Sequence, residues 1–187
     1  MPGKPRMSQL LLEDRHIIFR NFTGAEGRFN AKGQRNFHVV LSEEEAEKMT
    51  VDGWNVKYPR PREDGDTPLP HLPVKVRFDN YPPRVVLITS RGKTPLDESM
   101  VDILDWAEFD NIDMILNPSY YDVNGKQGFT AYLKSLYVTL HEDELELKYA
   151  DIPDSAQSAL KVVDEPEPAM IHQASEVIAI ERGSTPF

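Results

Sequence analysis

Asn124-Gly125 lies between two runs rich in β-branched and aromatic residues, 111–121 and 128–140, and no other feature constrains the fold as much. A two-residue turn with positive φ at both central positions matches the twist of antiparallel strands, and Asn followed by Gly adopts it most readily. These residues therefore predict a β-hairpin. Further strands are predicted upstream at residues 15–22 and 36–41, which flank a loop containing Gly24, Gly27 and Gly33, and at 54–58. Residues 73–78 alternate, with Val74, Val76 and Phe78 on one face and Lys75 and Arg77 on the other, while 84–89 (RVVLIT) read as buried on both sides. The alternation of Leu145, Leu147 and Tyr149 with charged residues predicts a closing strand at 144–149.

Two helices interrupt the strands. Ser42-Glu43-Glu44-Glu45 is a capping box that opens a short helix through about Met49, ended by Asp52-Gly53. Residues 97–106 carry Val101, Leu104 and Met100 at helical spacing. Pro59, Pro61, Pro68, Pro70 and Pro73 mark a long loop that a sheet interior would reject. Seven or eight strands with closely spaced turns and no alternating βα units predict an antiparallel barrel or sandwich. Residues 1–12 read as a loose arm that Leu10 to Leu12 could dock, and 13–152 as the barrel. Residues 153–187, with four prolines and scattered acids, read as an acidic and mostly disordered tail. Within it, Met170 to Ile180 form an apolar island, and the chain closes on Thr185-Pro186-Phe187.

The formal net charge is -10, but it is unevenly spread: residues 1–62 carry +3, 63–150 carry -8 and 151–187 carry -5. The stretch FRNFTGAEGRFNAKGQRNFHVVL, residues 19–41, holds Arg20, Arg28, Lys32 and Arg35 against the single acid Glu26, with Phe19, Phe22, Phe29 and Phe37 between them. Phe19, Phe37 and one of Phe22 or Phe29 are expected in the core. A second run mixes Trp54, Lys57, Tyr58, Arg60 and Arg62, and a third Tyr120, Tyr121, Lys126, Tyr132 and Lys134. Rings alternating with cations suit a single-stranded nucleic acid, whose phosphates need charge and whose unstacked bases need flat partners. The candidate contacts are Arg20, Phe22, Arg28, Phe29, Lys32, Arg35, Trp54, Lys57, Tyr58, Tyr121, Lys126 and Lys134.

Catalytic signals are weak. No phosphate-binding Gly-rich loop with Lys-Ser/Thr, HExxH or Gly-x-Ser-x-Gly occurs, and His16, His38, His71, His141 and His172 lack ligand spacing. No cofactor and no metal is expected. His16 and His38 read as cross-strand neighbours. The acids Asp97, Glu98, Asp102, Asp105, Glu108, Asp110 and Asp113 offer a Mg²⁺-dependent nuclease as a minor reading and a solvated face as the major one. Cysteine is absent, and neither a membrane-spanning run nor a signal peptide is apparent, which predicts a cytoplasmic protein without disulfides.

The segments FRNFTGAEGRFNAKGQRNFHVVL, DGWNVK, VKVRF, TPLDE with Leu104-Asp105 after it, and GKQGFTAYLKSLYVTLHEDELELKYADI follow one another in an order that resembles the single-stranded DNA-binding proteins of tailed bacteriophages. The resemblance covers about residues 13 to 152. It implies an OB-like β-barrel that sequesters single strands in phage replication or recombination without catalysis, in the cytoplasm of a bacterial host. Pro186 and Phe187 resemble the acidic-tail tip with which many such proteins recruit replication or recombination enzymes, although Arg182 lies close to the end and no acid directly precedes Ser184-Thr185. Exposed strand edges offer a route to homo-oligomers. The alternative expectation is a phage structural or host-interacting β-barrel that binds proteins and not DNA.

Overall fold

The computed structural model describes residues 3–152, and Met1–Ala150 forms one compact unit. In chain order the elements are β1 (Leu10–Leu12), β2 (Ile17–Asn21), β3 (Arg35–Val40), α1 (Glu43–Val51), β4 (His71–Val76), β5 (Arg84–Thr89), β6 (Gly92–Leu96), β7 (Phe109–Val123), β8 (Lys126–Leu140) and α2 (Glu144–Lys148), with a 3-10 turn at Val101–Asp105 before β7. The strands make one sheet in the order β1-β7-β8-β4-β3-β2, with β5 bonded to β8 and β6 to β5. The architecture is mainly β and OB-like, as expected, but the sheet is not closed.

β7 and β8 form the expected hairpin, paired from Phe109↔Leu140 to Val123↔Lys126. Asn124 and Gly125 take φ values of 52° and 77°, the left-handed pair that this turn requires. Ile112, Met114 and Leu116 of β7 face inward with Ala131, Leu133, Leu136 and Val138 of β8. A register shift between Ile115 and Leu116 absorbs one extra residue on β8, which keeps both Leu133 and Leu136 in the core.

The length of β8 explains the two parallel pairings that an antiparallel expectation leaves out. Val74 and Lys75 of β4 pair with Ala131 and Tyr132, and β5 pairs with Ser135 to Thr139, on successive parts of the same strand. Fifteen residues extend about 50 Å at 3.3 Å per residue, enough to seat two short strands in tandem. The chain leaves β4, breaks at Tyr81-Pro82-Pro83, where a ladder cannot continue, and resumes as β5 in the same direction. Pro73, expected both to close the proline-rich loop and to open a strand, stands inside β4, at a position paired with His38 of β3 just before β8 joins.

The capping box at Ser42 is present: Ser42 Oγ accepts from the Glu45 backbone N–H, and Glu45 accepts from the Ser42 N–H. Glu45 also accepts two bonds from the Arg15 guanidinium, which ties α1 to the segment just before β2 and holds the Glu45 carboxyl down at about 2. Residues 97–106 tighten into the 3-10 turn, whose three-residue period buries Val101 and Leu104 together.

Three other expectations change. Residues 144–149 are not a strand: Asp143 caps a helix in a reciprocal box with Glu146, and Leu145, Leu147 and Tyr149 are exposed. Residues 54–58, expected as a strand, make only isolated bridges, Trp54 to Phe129 and Lys57 to His71. β6 was not expected; it is an exposed edge strand containing Pro95, so it shows little apolar alternation. Leu10 to Leu12 dock the arm as β1 against β7. The apolar island and the terminal Pro186-Phe187 lie outside the described residues.

Candidate nucleic-acid interface

Strand alternation sends Phe37 and Val39 of β3, and Leu72, Val74 and Val76 of β4, into the core. The residues between them, Asn36, His38, Pro73 and Lys75, therefore form the outer face, where Asn36 stands opposite Lys75 and His38 opposite Pro73. This face is the floor of an open groove of about 990 Å³, walled by the loop that carries Phe29 and Asn30, by Arg62 of the proline-rich loop, and by Arg77 and Phe78 beyond β4. Arg35, Arg62, Lys75 and Arg77 outnumber Asp79 and Glu98 along its lining.

Several of these cations are already organised by rings. The Arg35 guanidinium lies 5.5 Å from the Phe78 ring centre, donates to the Phe22 carbonyl and pairs with Glu98 at 2.8 Å. Lys75 and Arg77 lie 5.9 and 5.4 Å from the ring of Tyr132, the residue of β8 that pairs with Lys75. Arg28 stands 5.3 Å from the ring of Phe29, which is 86% exposed at the groove wall. A stacked guanidinium retains in-plane N–H groups for a phosphate while its ring partner limits its motion.

The far end of the floor holds Phe19 and His38, with His71 buried behind them. A register shift in β2 between Ile18 and Asn21 turns Phe19 outward, at a φ of 52° and 64% exposed, instead of into the expected core position. Its ring centre is 5.3 Å from His38 and 5.6 Å from His71, both edge-on, and the two imidazoles share a 2.8 Å bond between their Nδ1 atoms. Burial, then His71, then Lys57 push the His38 imidazole down to about 4; burial followed by Lys57 lowers His71 as well. His38 therefore pairs with His71, not with His16 as expected.

Of the expected contact residues, the groove lining includes Phe29 and Arg35. Arg28 and Lys32 are exposed on the same loop. Phe22 and Trp54 are corrections: Phe22 is fully buried and stacked on Phe37, and Trp54 is 6% exposed against Phe129, so neither ring can meet a base. Arg20 is committed to the fold, donating to the Leu104 and Ala107 carbonyls beneath Phe109. Lys57 bonds Asn55, and Tyr58, exposed, meets Thr50. Tyr121 and Lys126 belong to the far end of the β7–β8 hairpin, where the Tyr121 hydroxyl lies close to Gly128, and Lys134 of β8 donates to Gln9. Lys75, Arg77 and Arg62 were visible in the sequence as cations but not as neighbours, and Phe19 was hidden by its bulge.

The acidic band is dispersed over structural partners. Asp105 accepts from the backbone N–H groups of Phe22 and Thr23 and from the Thr23 hydroxyl, which fixes the first loop to the 3-10 turn. Glu98 holds Arg35, Asp110 holds His141, and Asp113 accepts from Asp14 and Asn111. Among the described residues no group of three or more metal-ligating side chains converges.

A family model described as "Putative phage ssDNA-binding domain" matches residues 3–183. No curated protein matches the chain. Among solved structures, similarity is found to the single-stranded DNA-binding protein of bacteriophage Enc34 in three forms. A C-terminal truncation has a TM-score of 0.46 at 9% identity, covering 72% of this chain and 87% of the other. A complex with single-stranded DNA has 0.45 at 9%, covering 72% and 88%. A third structure of the protein has 0.44 at 10%, covering 76% and 88%.

Proposed function

The chain belongs to the phage single-stranded DNA-binding domain family, and from that membership we propose that it binds single-stranded DNA, largely irrespective of sequence, along the groove over β2, β3 and β4. The observation that supports this path is the concentration of Arg35, Arg62, Lys75 and Arg77 with exposed rings in one groove of a protein whose net charge is -10. Lys75, Arg77 and Arg62 neutralise phosphates, Arg28 and Lys32 extend the positive rim, and Phe29 offers a stacking face. Arg35 contributes by shaping the wall, since its guanidinium is divided between Phe22 and Glu98. Lys57, Tyr58, Tyr121, Lys126 and Lys134 become contacts only where a longer strand leaves the groove.

The role that follows is non-catalytic: covering single strands during phage replication or recombination in the host cytoplasm, with Pro186 and Phe187 available to replication or recombination enzymes. The test is fluorescence anisotropy of labelled oligo-dT and of the corresponding duplex at two salt concentrations. The expected result is salt-sensitive binding confined to the single strand. Each lost phosphate contact flattens the log-log salt slope by about 0.7, so Lys75→Ala with Arg77→Ala should remove about 1.4. An unaltered slope and affinity in that double variant would move the DNA path off this groove.

A further inference from the structure

The geometry points to a nucleobase subsite at the end of the groove, in which the exposed face of Phe19 stacks one base and the His38–His71 pair holds the ring in place; this rests on the reading that the groove takes a single DNA strand. Phe19 is a bulky residue in the left-handed region, at φ 52°, which Gly occupies freely and side chains resist. Strain of this kind persists where the surrounding structure enforces it, and it gathers at sites of function. Here it yields no core packing, because the register shift between Ile18 and Asn21 delivers the ring outward and 64% exposed.

An exposed ring is normally free to turn, but this one is braced. His38 and His71 meet it at interplanar angles of 81° and 70°, and their Nδ1–Nδ1 bond fixes them to each other, one imidazole donating and the other accepting. That exchange requires a neutral acceptor, and burial keeps the imidazoles from charging readily. The brace is therefore a neutral aromatic platform beside the charged part of the groove. Lys75 stands two residues along β4 from Pro73, the partner of His38, about 7 Å at strand rise. A base on Phe19 and a phosphate at Lys75 are thus within reach of one strand.

The test compares full-length wild type with Phe19→Gly, Phe19→Leu and His38→Gln in oligo-dT binding, with thermal unfolding measured on each. Glycine accepts the φ of this position, so Phe19→Gly is expected to unfold no earlier than wild type while binding about tenfold more weakly at an unchanged salt slope. Phe19→Leu, apolar but lacking a flat π-face, is expected to lose affinity similarly. His38→Gln acts through the ring, so it weakens wild type by less and adds nothing in the Phe19→Gly background. Wild type that fails to bind at low salt removes the groove reading and the subsite with it. Wild type that binds while both Phe19 variants match it overturns the subsite alone, as does loss of stability in step with affinity in Phe19→Gly. Full additivity of the two substitutions overturns the bracing role of His38.

Discussion

Phe22 and Phe29 lie seven residues apart on one loop, yet they separate stability from binding. Phe22→Ala empties a fully buried site stacked on Phe37 and is expected to cost about 3–5 kcal/mol in denaturant unfolding. Phe29→Ala removes an exposed ring and should leave the unfolding midpoint within error while weakening oligo-dT binding about tenfold. The histidine pair adds a pH dependence. An unfolded imidazole takes up its proton near 6.5, but folded His38 does so only near 4. Between these values the unfolded chain holds more protons, so stability falls as pH drops from about 6.5 towards 4, and the lowered His71 acts in the same direction. Glu45 acts in a lower window, its contribution fading as pH falls from about 4.5 towards 2. Urea unfolding between pH 7 and 4 measures the first window, which should flatten in His38→Gln. At this scale the sequence indicated chemistry better than orientation. Phe19, Phe22, Phe29 and Phe37 are alike in composition, and only the bulge in β2 and the closing of the first loop by Asp105 decide which ring meets solvent.

Among the elements, local rules were readable wherever the backbone satisfies itself within a few residues. Asn124-Gly125 and the Ser42–Glu45 box are such cases, and both stand as expected. Ser42→Ala is expected to cost about 1 kcal/mol through the lost cap, seen as a lower urea midpoint with little change in its steepness. Gly125→Ala places a side chain at φ 77° and should destabilise the hairpin by about 1 kcal/mol. Residues 144–149 show where pattern alone fails: Leu145, Leu147 and Tyr149 alternate like a strand, but Asp143 and Glu146 satisfy backbone donors reciprocally and set a helix in motion. β6 was illegible because an exposed edge strand has no buried face to impose alternation. The parallel pairing of β4 and of β5 with β8 was illegible because it depends on the length of a strand that lies several elements later.

For the whole molecule, charge is the dominant long-range property. Residues 152–187 carry a net charge of -4 of the total -10, so a chain ending at Asp151 repels phosphate less. It should bind oligo-dT more tightly at low salt, with the advantage over full-length protein vanishing as the Debye length shortens to about 3 Å at 1 M salt. The order of strands along the chain has another consequence. β7, β4 and β5 all bond to β8, yet among the described residues β8 is the last strand to be written. A ribosome releases the chain from its N-terminus, so β4 and β5, though paired with β3 and β6, emerge with their shared partner β8 still inside the translation machinery. Unpaired edges in that interval are templates for pairing with other chains. Nascent chains arrested before Lys126 thus depend on chaperones, whereas arrest far enough beyond Leu140 for β8 to clear the ribosome gives β4, β5 and β7 the strand they share.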